Sequence, residues 1–313
     1  MKKTIYFLFV LFLAQQAAAQ DINKIITREY VDRLIKTLSS DEMEGRATFS
    51  RGIDKAASFI EQEFKAIGLQ PLDGGTSFRQ SFEKDGKPLF NVAGMIPGKS
   101  KAKEIVVFSG HYDHLGIIKA EDQDSIANGA DDDASGTTAM IALAKYYKAL
   151  NNNERTLIFV AFTAEEIGGF GAKYFSQQLN PDDVVAMFNI EMIGKESKFG
   201  KNAAFITGYE RSDFGKILQK NLQGSEFTFH PDPYPEQKLF YRSDNATLAA
   251  LGVPAHTIST DQIDTDKLYH TVKDEYSSLD PENILATIKA IAQSAISIVK
   301  GTDTPTRIPK LKN

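Results

Sequence analysis

The chain lacks cysteine: none of its 313 residues carries a thiol. This absence excludes disulfide bonds, thiolate metal ligands and lipid attachment through cysteine. Membrane-spanning apolar runs are lacking as well, because the run at residues 5–14 falls well short of the roughly 20 residues needed and no other stretch is longer. A basic excess is also lacking. The net charge of −5 argues against a general nucleic-acid-binding protein.

The first 20 residues, MKKTIYFLFVLFLAQQAAAQ, have the pattern of a secretory signal peptide. Two lysines precede the apolar run, and the small residues that follow it place cleavage after Ala19 or Gln20. The alternative, a short membrane anchor, requires a longer apolar run. We therefore expect an exported protein, periplasmic or extracellular, whose mature chain is soluble and binds neither membranes nor nucleic acid. No feature of the sequence indicates its oligomeric state.

Short apolar runs alternate with helical patterns through the rest of the chain. The predicted strands are 104–110, 155–162, 184–190, 203–207 and 253–259. The predicted helices lie at about 28–39, 51–67, 135–150, 169–179, 212–223, 244–251 and 282–300. This alternation predicts an α/β fold, a three-layer αβα sandwich around a mixed, largely parallel central sheet. We expect a single domain over 21–300, with a loop and hairpin at 70–90, and a polar, loosely ordered tail at 301–313.

Acidic and imidazole groups follow three of the predicted strands, where ligand sites in open α/β sheets gather. HYDHLG places His111 and Asp113 after the first of these strands, on one face of an extended segment. There the carboxylate can accept a ring N–H and so orient a metal-binding histidine. A hydrogen-bonded structural histidine fits the same motif.

Two further acidic motifs have two interpretations each. Glu165 and Glu166 follow the next strand, and because adjacent side chains diverge, one carboxylate can bind a metal while the other serves as general base. The letters TAEE also fit a capping box at a helix start. The run ANGADDDASG, with aspartates at 131–133, is typical either of an exposed turn or of a binding loop.

The remaining motifs are weak singly and informative together. Glu191 in NIEMIG can simply mark a strand reaching water, and Tyr269 with His270 can be a packed core pair. The combined set offers two imidazoles and three carboxylates: His111, one aspartate of 131–133, Glu166, Glu191 and His270. Nitrogen and oxygen ligands without thiolate suit zinc, and also manganese or cobalt. Two metals about 3.5–4 Å apart would share one carboxylate and one water.

Six motifs in order make the chain resemble the secreted co-catalytic two-zinc aminopeptidases of the bacterial leucyl aminopeptidase type. They are HYDH, GADDDASG, AEEIGGFGA, NIEMIG, FYRSDNATLAALGVPA and YHTVKD. Wider relatives include glutamate carboxypeptidase and glutaminyl cyclase. The resemblance covers about residues 30–300 and implies a zinc-peptidase domain of the phosphorylase/hydrolase-like fold. It also implies hydrolysis of N-terminal amino acids from peptides that have a free N-terminus.

The resemblance implies a pair of Zn²⁺ ions, with Mn²⁺ or Co²⁺ as substitutes. In this interpretation, His111 and Glu191 hold one ion. Glu166 and His270 hold the other, and Asp132 bridges the pair.

Catalytic and positioning roles are implied in the same way. Glu165 is the general base toward a metal-bridged water, and Tyr269 donates a hydrogen bond to the developing oxyanion. Asp113 is the hydrogen-bonding partner of His111. Family members carry a cis peptide bond directly after the bridging aspartate, which here is Asp132–Asp133.

Two positions depart from the family pattern. Glu191 stands where relatives carry aspartate, and its extra methylene group leaves the metal spacing open. Asn245 stands where relatives often carry histidine, with no expected consequence for the mechanism. Two alternatives to a peptidase remain: a glutaminyl-cyclase-like acyltransferase with one zinc ion, and a non-catalytic binding module on the same fold. Among peptidases, a carboxypeptidase fits the same motifs, because the metal site alone does not set the direction of an exopeptidase.

Overall fold

The computed structural model describes residues 22–311, so the predicted signal peptide lies outside the described residues. The strands are β1 (Gln70–Pro71), β2 (Arg79–Lys84), β3 (Lys87–Ile96), β4 (Lys101–His111), β5 (Gly116–Glu121), β6 (Asp124–Ala127), β7 (Arg155–Phe162), β8 (Val184–Ile190), β9 (Ala203–Ile206), β10 (Thr228–Pro231) and β11 (Ala255–Ser259). The α-helices from residue 28 onward are α1 (Arg28–Leu38), α2 (Arg51–Ile67), α3 (Gly136–Leu150), α4 (Phe170–Gln177), α5 (Phe214–Asn221), α6 (Asn245–Ala250), α7 (Pro281–Ser294) and α8 (Ile296–Val299). Within the described range, none of the helices has both the length and the apolar character needed to cross a membrane.

One sheet of nine strands forms the centre of the fold. Its order is β1-β3-β7-β4-β8-β11-β9-β10, with β2 paired to β3. The four middle strands, β7, β4, β8 and β11, run parallel, and antiparallel pairs flank them. The predicted mixed, largely parallel sheet is confirmed. The carboxyl ends of the four parallel strands therefore meet at one edge.

The two faces of the sheet carry separate apolar cores, because successive strand residues point to opposite faces. In β4, Val106 and Phe108 belong to one core and Val107 to the other. Helices α1, α2, α3, α5 and α7 cover the first face, and α4 and α6 cover the second. This gives the three layers that the sequence predicts. The central strands are apolar almost throughout because both of their faces are covered.

Helix α2 shows how local sequence sets the limits of an element. Its N-cap Ser50 accepts a hydrogen bond from the Ile53 amide at 3.3 Å. Gly68 follows its last turn with φ of 81°, a left-handed conformation that glycine adopts without steric cost. Apolar residues at helical spacing, among them Phe64, are buried in the first core. All of these signals are local, and the sequence predicts the bounds of this helix correctly.

The sequence interpretation misses β3, because it assigns 70–90 to a loop and hairpin. Strands β2 and β3 do form a hairpin, but β3 continues into the main sheet and pairs with β7. Asn91 interrupts the apolar pattern of β3 at a fully buried position. Its side chain donates to the Gly171 carbonyl at 3.0 Å and accepts from the Thr163 amide at 3.2 Å. The polar residue is tolerated there because both ends of its amide group are hydrogen-bonded.

The polar segment after α8 packs onto the molecule as far as Leu311. Ile308 is buried, and its amide donates to the Gly252 carbonyl at 3.2 Å. The Leu311 amide donates to the Ala250 carbonyl at 2.9 Å, and Arg307 donates to the carbonyl of the first residue of β8 at 2.7 Å. These contacts differ from the loosely ordered tail that the polar composition predicts. One buried apolar side chain and several hydrogen bonds to backbone carbonyls hold the segment in place.

Replacing Phe108 with alanine is expected to lower the free energy of unfolding by about 3–5 kcal/mol. The ring is fully buried. Its centroid lies 4.8 Å from that of the stacked Phe188 ring and 5.3 Å from that of the stacked Phe159 ring, so truncation leaves a cavity in the first core. Urea unfolding measures the change. Phe199→Ala is the control, because that ring is 42% exposed, and its loss should stay below about 1 kcal/mol. Equal losses for the two variants would contradict this assignment of the core.

Candidate metal centre

The carboxyl edge of the sheet brings the predicted site residues together. Four of them lie at or directly after neighbouring strands: His111 on β4, Glu165 and Glu166 after β7, and Glu191 after β8. Two loops supply the others, Asp132 just before α3 and His270 between β11 and α7. These residues are far apart in the sequence, but the parallel topology places the strand ends that carry them at one edge of the sheet.

Asp132 lies between two groups of potential ligands. Its Oδ1 is 3.1 Å from His111 Nε2, and a donor atom of Glu191 completes a set whose members lie within 4.8 Å of one another. Its Oδ2 is 3.2 Å from His270 Nε2, which is also 3.1 Å from Glu166 Oε2. The two carboxylate oxygens thus face different groups. The geometry brings together all five residues that the sequence predicts as ligands.

The ring nitrogens fit a metal better than they fit hydrogen bonding. Within residues 22–311, Nε2 of His111 and Nε2 of His270 are buried and have no hydrogen-bond partner, although carboxylate oxygens lie near them. The Nδ1–H of His111 donates to the Asp113 carbonyl at 3.1 Å, which leaves the Nε2 lone pair facing the carboxylates. Lone pairs and carboxylate oxygens that converge on one space are the donor set that zinc, manganese and cobalt accept.

The electrostatics of the site favour added positive charge. Burial and the Glu191 carboxylate outweigh the imidazole of His111 and raise the pKa of Glu165 to about 10. Burial is also the largest cause that raises the pKa of Glu191 and that of Asp133. Divalent cations among these carboxylates would lower their pKa values and offset their mutual repulsion.

Asp113 differs from its predicted role in the atoms that it uses. Its carboxylate is 3.8 Å from His111 Nδ1, and the ring donates to the backbone carbonyl of Asp113 instead. The carboxylate accepts the amide of Glu165 at 3.0 Å, the amide of Glu166 at 3.3 Å and the hydroxyl of Thr48 at 3.1 Å. The predicted carboxylate–histidine hydrogen bond is therefore wrong. Asp113 instead positions the backbone of the two glutamates.

The three consecutive aspartates have three different environments. The Asp132–Asp133 peptide bond is cis, as the resemblance implies. The Asp133 carboxylate accepts the amide of His111 at 3.1 Å and that of Met192 at 3.2 Å, and so joins the ends of β4 and β8. Asp131 Oδ1 accepts an amide of the loop after β8 at 2.7 Å. The interpretation of this run as an exposed turn is wrong, since all three residues are buried.

Asp274, the last residue of the motif YHTVKD, supports the aspartate loop, a role that the sequence does not predict. Its carboxylate accepts the amide of Asp131 at 3.0 Å and the amide of Asp132 at 3.0 Å. Its carbonyl accepts the Ala130 amide at 3.0 Å. The loop that presents Asp132 is therefore fastened to the segment that carries His270.

Arg46 is a second supporting residue that the sequence interpretation misses. Its guanidinium is fully buried and donates to four backbone carbonyls, those of Leu38, Tyr112, Asn128 and Gly129. Burial is the largest cause that lowers its pKa. One side chain thus ties the segment after β4 to the segment that enters the aspartate loop.

A cavity of about 260 Å³ opens beside these residues. Glu165, Tyr269 and His270 are among its lining residues, and the Tyr269 ring stacks on His270 at 3.8 Å. His114, the second histidine of HYDH, donates through Nδ1 to Glu166 Oε1 at 2.9 Å. His114 has no role predicted from the sequence. Its place in the motif, directly after Asp113, is the signal that would have pointed to it.

Comparisons with known proteins identify a family that matches most of the chain. The model of peptidase family M28 matches residues 91–295, about two thirds of the chain. A probable zinc metalloprotease of Pyricularia oryzae is 25% identical over 194 residues, which cover 58% of this chain and 38% of that protein. Leucine aminopeptidase 1 of Emericella nidulans is 27% identical over 288 residues, which cover 83% of this chain and 72% of that protein.

A solved structure gives the same fold. The LapA aminopeptidase of Legionella pneumophila matches with a TM-score of 0.72 at 18% sequence identity, over 91% of this chain and 74% of that one. At this identity the match shows the fold alone. The chain spans about two fifths of the length of the Pyricularia oryzae relative.

Replacing Arg46 with methionine is expected to lower the free energy of unfolding by about 3 kcal/mol or more, because buried carbonyls lose their donor. Arg46→Lys should recover little of this loss. A single ammonium group cannot reproduce the several N–H donors that the planar guanidinium group directs at separate carbonyls. Arg33→Met is the matched control. Its side chain is 46% exposed and pairs with Glu63 at 2.9 Å, so its effect should stay within about 1 kcal/mol. Urea unfolding that shows equal losses for Arg46→Met and Arg33→Met would contradict the prediction.

Proposed function

The chain belongs to peptidase family M28, and we propose that it is a zinc-dependent aminopeptidase that hydrolyses the first peptide bond of substrates with a free N-terminus. One observation carries the proposal: the two oxygens of Asp132 face two separate groups of histidine and glutamate ligands at the side of a cavity. The names of its relatives, a zinc metalloprotease and a leucine aminopeptidase, support the metal and the reaction.

Two metal positions follow from the two groups. One zinc would be held by His111, Asp132 and Glu191. The other would be held by Asp132, Glu166 and His270. Ligand atoms of His114, Asp132 and Glu166 also lie within 4.8 Å of one another, but His114 Nδ1 is already hydrogen-bonded to Glu166 Oε1. Manganese or cobalt would suit the same nitrogen and oxygen donors. When bound, the metal pair acidifies a water molecule and polarises the scissile carbonyl.

Glu191 fits the first position in spite of its length. Its carboxylate reaches the same group of donor atoms as His111 and Asp132. Ser243 and Asn189 both donate to its Oε2, and these hydrogen bonds limit the freedom that the extra methylene adds. The departure from aspartate at this position is therefore compatible with metal binding.

Glu165 is the group that moves protons in this proposal. It lines the cavity beside Asp132, and Asp113 fixes its backbone amide. Its carboxylate accepts a proton from the attacking water and returns it to the leaving amine. Glu165 belongs to neither group of proposed ligands, so its carboxylate is free to change its protonation state during the reaction.

Tyr269 is placed to assist as a hydrogen-bond donor. Its ring stacks on His270 and borders the cavity. Burial and the nearby carboxylates raise the pKa of Tyr269, so the phenol keeps its proton. The hydroxyl donates to the substrate carbonyl oxygen as negative charge develops there.

Glu165→Gln is expected to keep the full metal content and to lower kcat by about 10²–10⁴-fold, because glutamine cannot accept the proton. Hydrolysis of leucine p-nitroanilide gives the rate, and elemental analysis of the same preparation gives the zinc content. Glu83→Gln, on the exposed side of β2, is the control and should behave as wild type. A near wild-type rate for Glu165→Gln would remove Glu165 as the base.

His270→Ala is expected to lose about one zinc equivalent, because it removes a nitrogen that faces Asp132 and Glu166. His114→Ala should keep both ions but bind them about 10–100-fold more weakly, because the hydrogen bond from His114 Nδ1 to Glu166 Oε1 orients that carboxylate. Zinc content after dialysis and competition with a chelator measure the two effects, with His230→Ala as control. If His114→Ala loses the ion and His270→Ala retains it, the assignment of the two histidines is reversed.

The alternatives are separated by one set of assays on purified wild-type protein. Two zinc ions per chain and chelator-sensitive hydrolysis of aminoacyl anilides support the aminopeptidase. One zinc ion with cyclisation of an N-terminal glutaminyl peptide would replace it by a cyclase. Metal-loaded protein that turns over neither substrate would favour a binding module.

A further inference from the structure

Among the acidic residues that line the cavity, Asp261 is one that the proposed reaction does not use. Asp261 lies two residues beyond the end of β11 and is only 3% exposed. Neither of its carboxylate oxygens has a hydrogen-bond partner within the described residues 22–311. A buried carboxylate without donors is costly, so its place on the wall of a cavity points to a ligand that supplies them.

Asp261 lies in a cluster of carboxylates whose nearby cation, Lys195, forms ion pairs with the other two members. Its carboxylate and those of Asp131 and Asp266 lie within 4.8 Å of one another. Lys195 Nζ is 2.6 Å from Asp266 and 3.3 Å from Asp131, and no ion pair joins it to Asp261. Burial, followed by the carboxylates of Asp131 and Asp266, raises the pKa of Asp261 to about 8, and in the protonated form it can share its proton with Asp266. A cation bound beside Asp261 would lower this pKa and favour the ionised carboxylate. The cluster thus has three carboxylates and one ammonium group, and of the three carboxylates only that of Asp261 lines the cavity.

The rest of the cavity suits the stem of a long side chain. Phe205, Leu239 and Ile263 contribute apolar surface to it. Arg242 also borders it, but its guanidinium is directed at the Gln237 side chain, 3.3 Å away at the surface. Among the described residues, no ion pair joins Arg242 to Asp261.

We propose that Asp261 makes this cavity selective for substrates whose N-terminal residue is basic, lysine or arginine. The inference rests on the proposed aminopeptidase function and names its substrate class. The apolar walls cover the methylene stem, and the carboxylate of Asp261 pairs with the cationic head. A cationic substrate group is favoured over a further metal ion because the Lys195 ammonium already lies between Asp131 and Asp266.

The first test compares lysine and norleucine p-nitroanilides with wild-type, zinc-loaded protein. The two side chains share the four-carbon stem and differ by the ammonium group. We expect kcat/KM to be about 10- to 100-fold higher for the lysine substrate, with arginine also preferred. Equal values, or a preference for norleucine, would overturn the inference. A preference for the glutamate anilide would also overturn it and would assign the selectivity to Arg242.

The second test identifies the residue. Asp261→Asn is expected to lower the lysine-to-norleucine ratio of kcat/KM by about tenfold or more, because the amide keeps the size of the side chain and removes its charge. Asp264→Asn is the matched control, since Asp264 is in the same loop and its side chain is 44% exposed. An unchanged ratio in Asp261→Asn, with a folded and zinc-loaded variant, would remove Asp261 as the selective group.

A binding measurement separates failure of this inference from failure of the proposed function. Calorimetry of free L-lysine and L-norleucine with the zinc-loaded wild-type protein requires no turnover. Tighter binding of lysine, lost in Asp261→Asn, supports the cationic subsite even if no anilide is hydrolysed. Hydrolysis of anilides with equal binding of the two amino acids overturns the subsite and leaves the aminopeptidase proposal standing.

Discussion

Repulsion among buried carboxylates is the constraint on which the carboxyl edge of this sheet depends. A carboxylate removed from water is stable only if donors or cations replace the lost hydration. Backbone amides do this for part of the group. Asp113 accepts the amides of Glu165 and Glu166, and Asp133 accepts amides from the ends of two other strands. The chain therefore uses its own acidic side chains to fasten the strand ends and loops that carry the proposed chemistry.

The carboxylates of the proposed metal centre lie beside ring nitrogens instead of backbone amide donors. Oxygens of Asp132, Glu166 and Glu191 converge with ring nitrogens that make no hydrogen bond in the described part of the chain. Positive charge is what this arrangement lacks, and a pair of divalent metal ions would supply it. The same reasoning applies to Asp261 on another part of the cavity wall, where the Lys195 ammonium serves its neighbours instead. Metal binding and substrate selectivity would then have one physical origin, which is unpaired negative charge beside an open cavity.

Sequence patterns predict structure that is set by neighbouring residues, and they miss contacts between segments that are far apart in the chain. The caps and apolar spacing of α2 lie within a short segment, so its bounds follow from the letters alone. Strand β3 is missed because the segment 70–90 is assigned to a loop and hairpin, while the strand's pairing with β7 joins segments far apart in the chain. The support of the aspartate loop by Asp274 spans more than 140 residues, and no short motif encodes such a contact.

The sequence alone predicts the fold class, the approximate limits of most helices and of five of the eleven described strands, and the identity of the residues gathered at the strand ends. It could do so because apolar periodicity and parallel topology place those residues at one edge. The atoms that each of these residues uses become evident only from the three-dimensional packing. Asp113 binds amides where a histidine was expected, Arg46 joins distant carbonyls, and Asp261 faces the cavity without a partner. Hydrogen-bond and charge partners are set by packing of segments far apart in the chain, and that information is absent from any local pattern of residues.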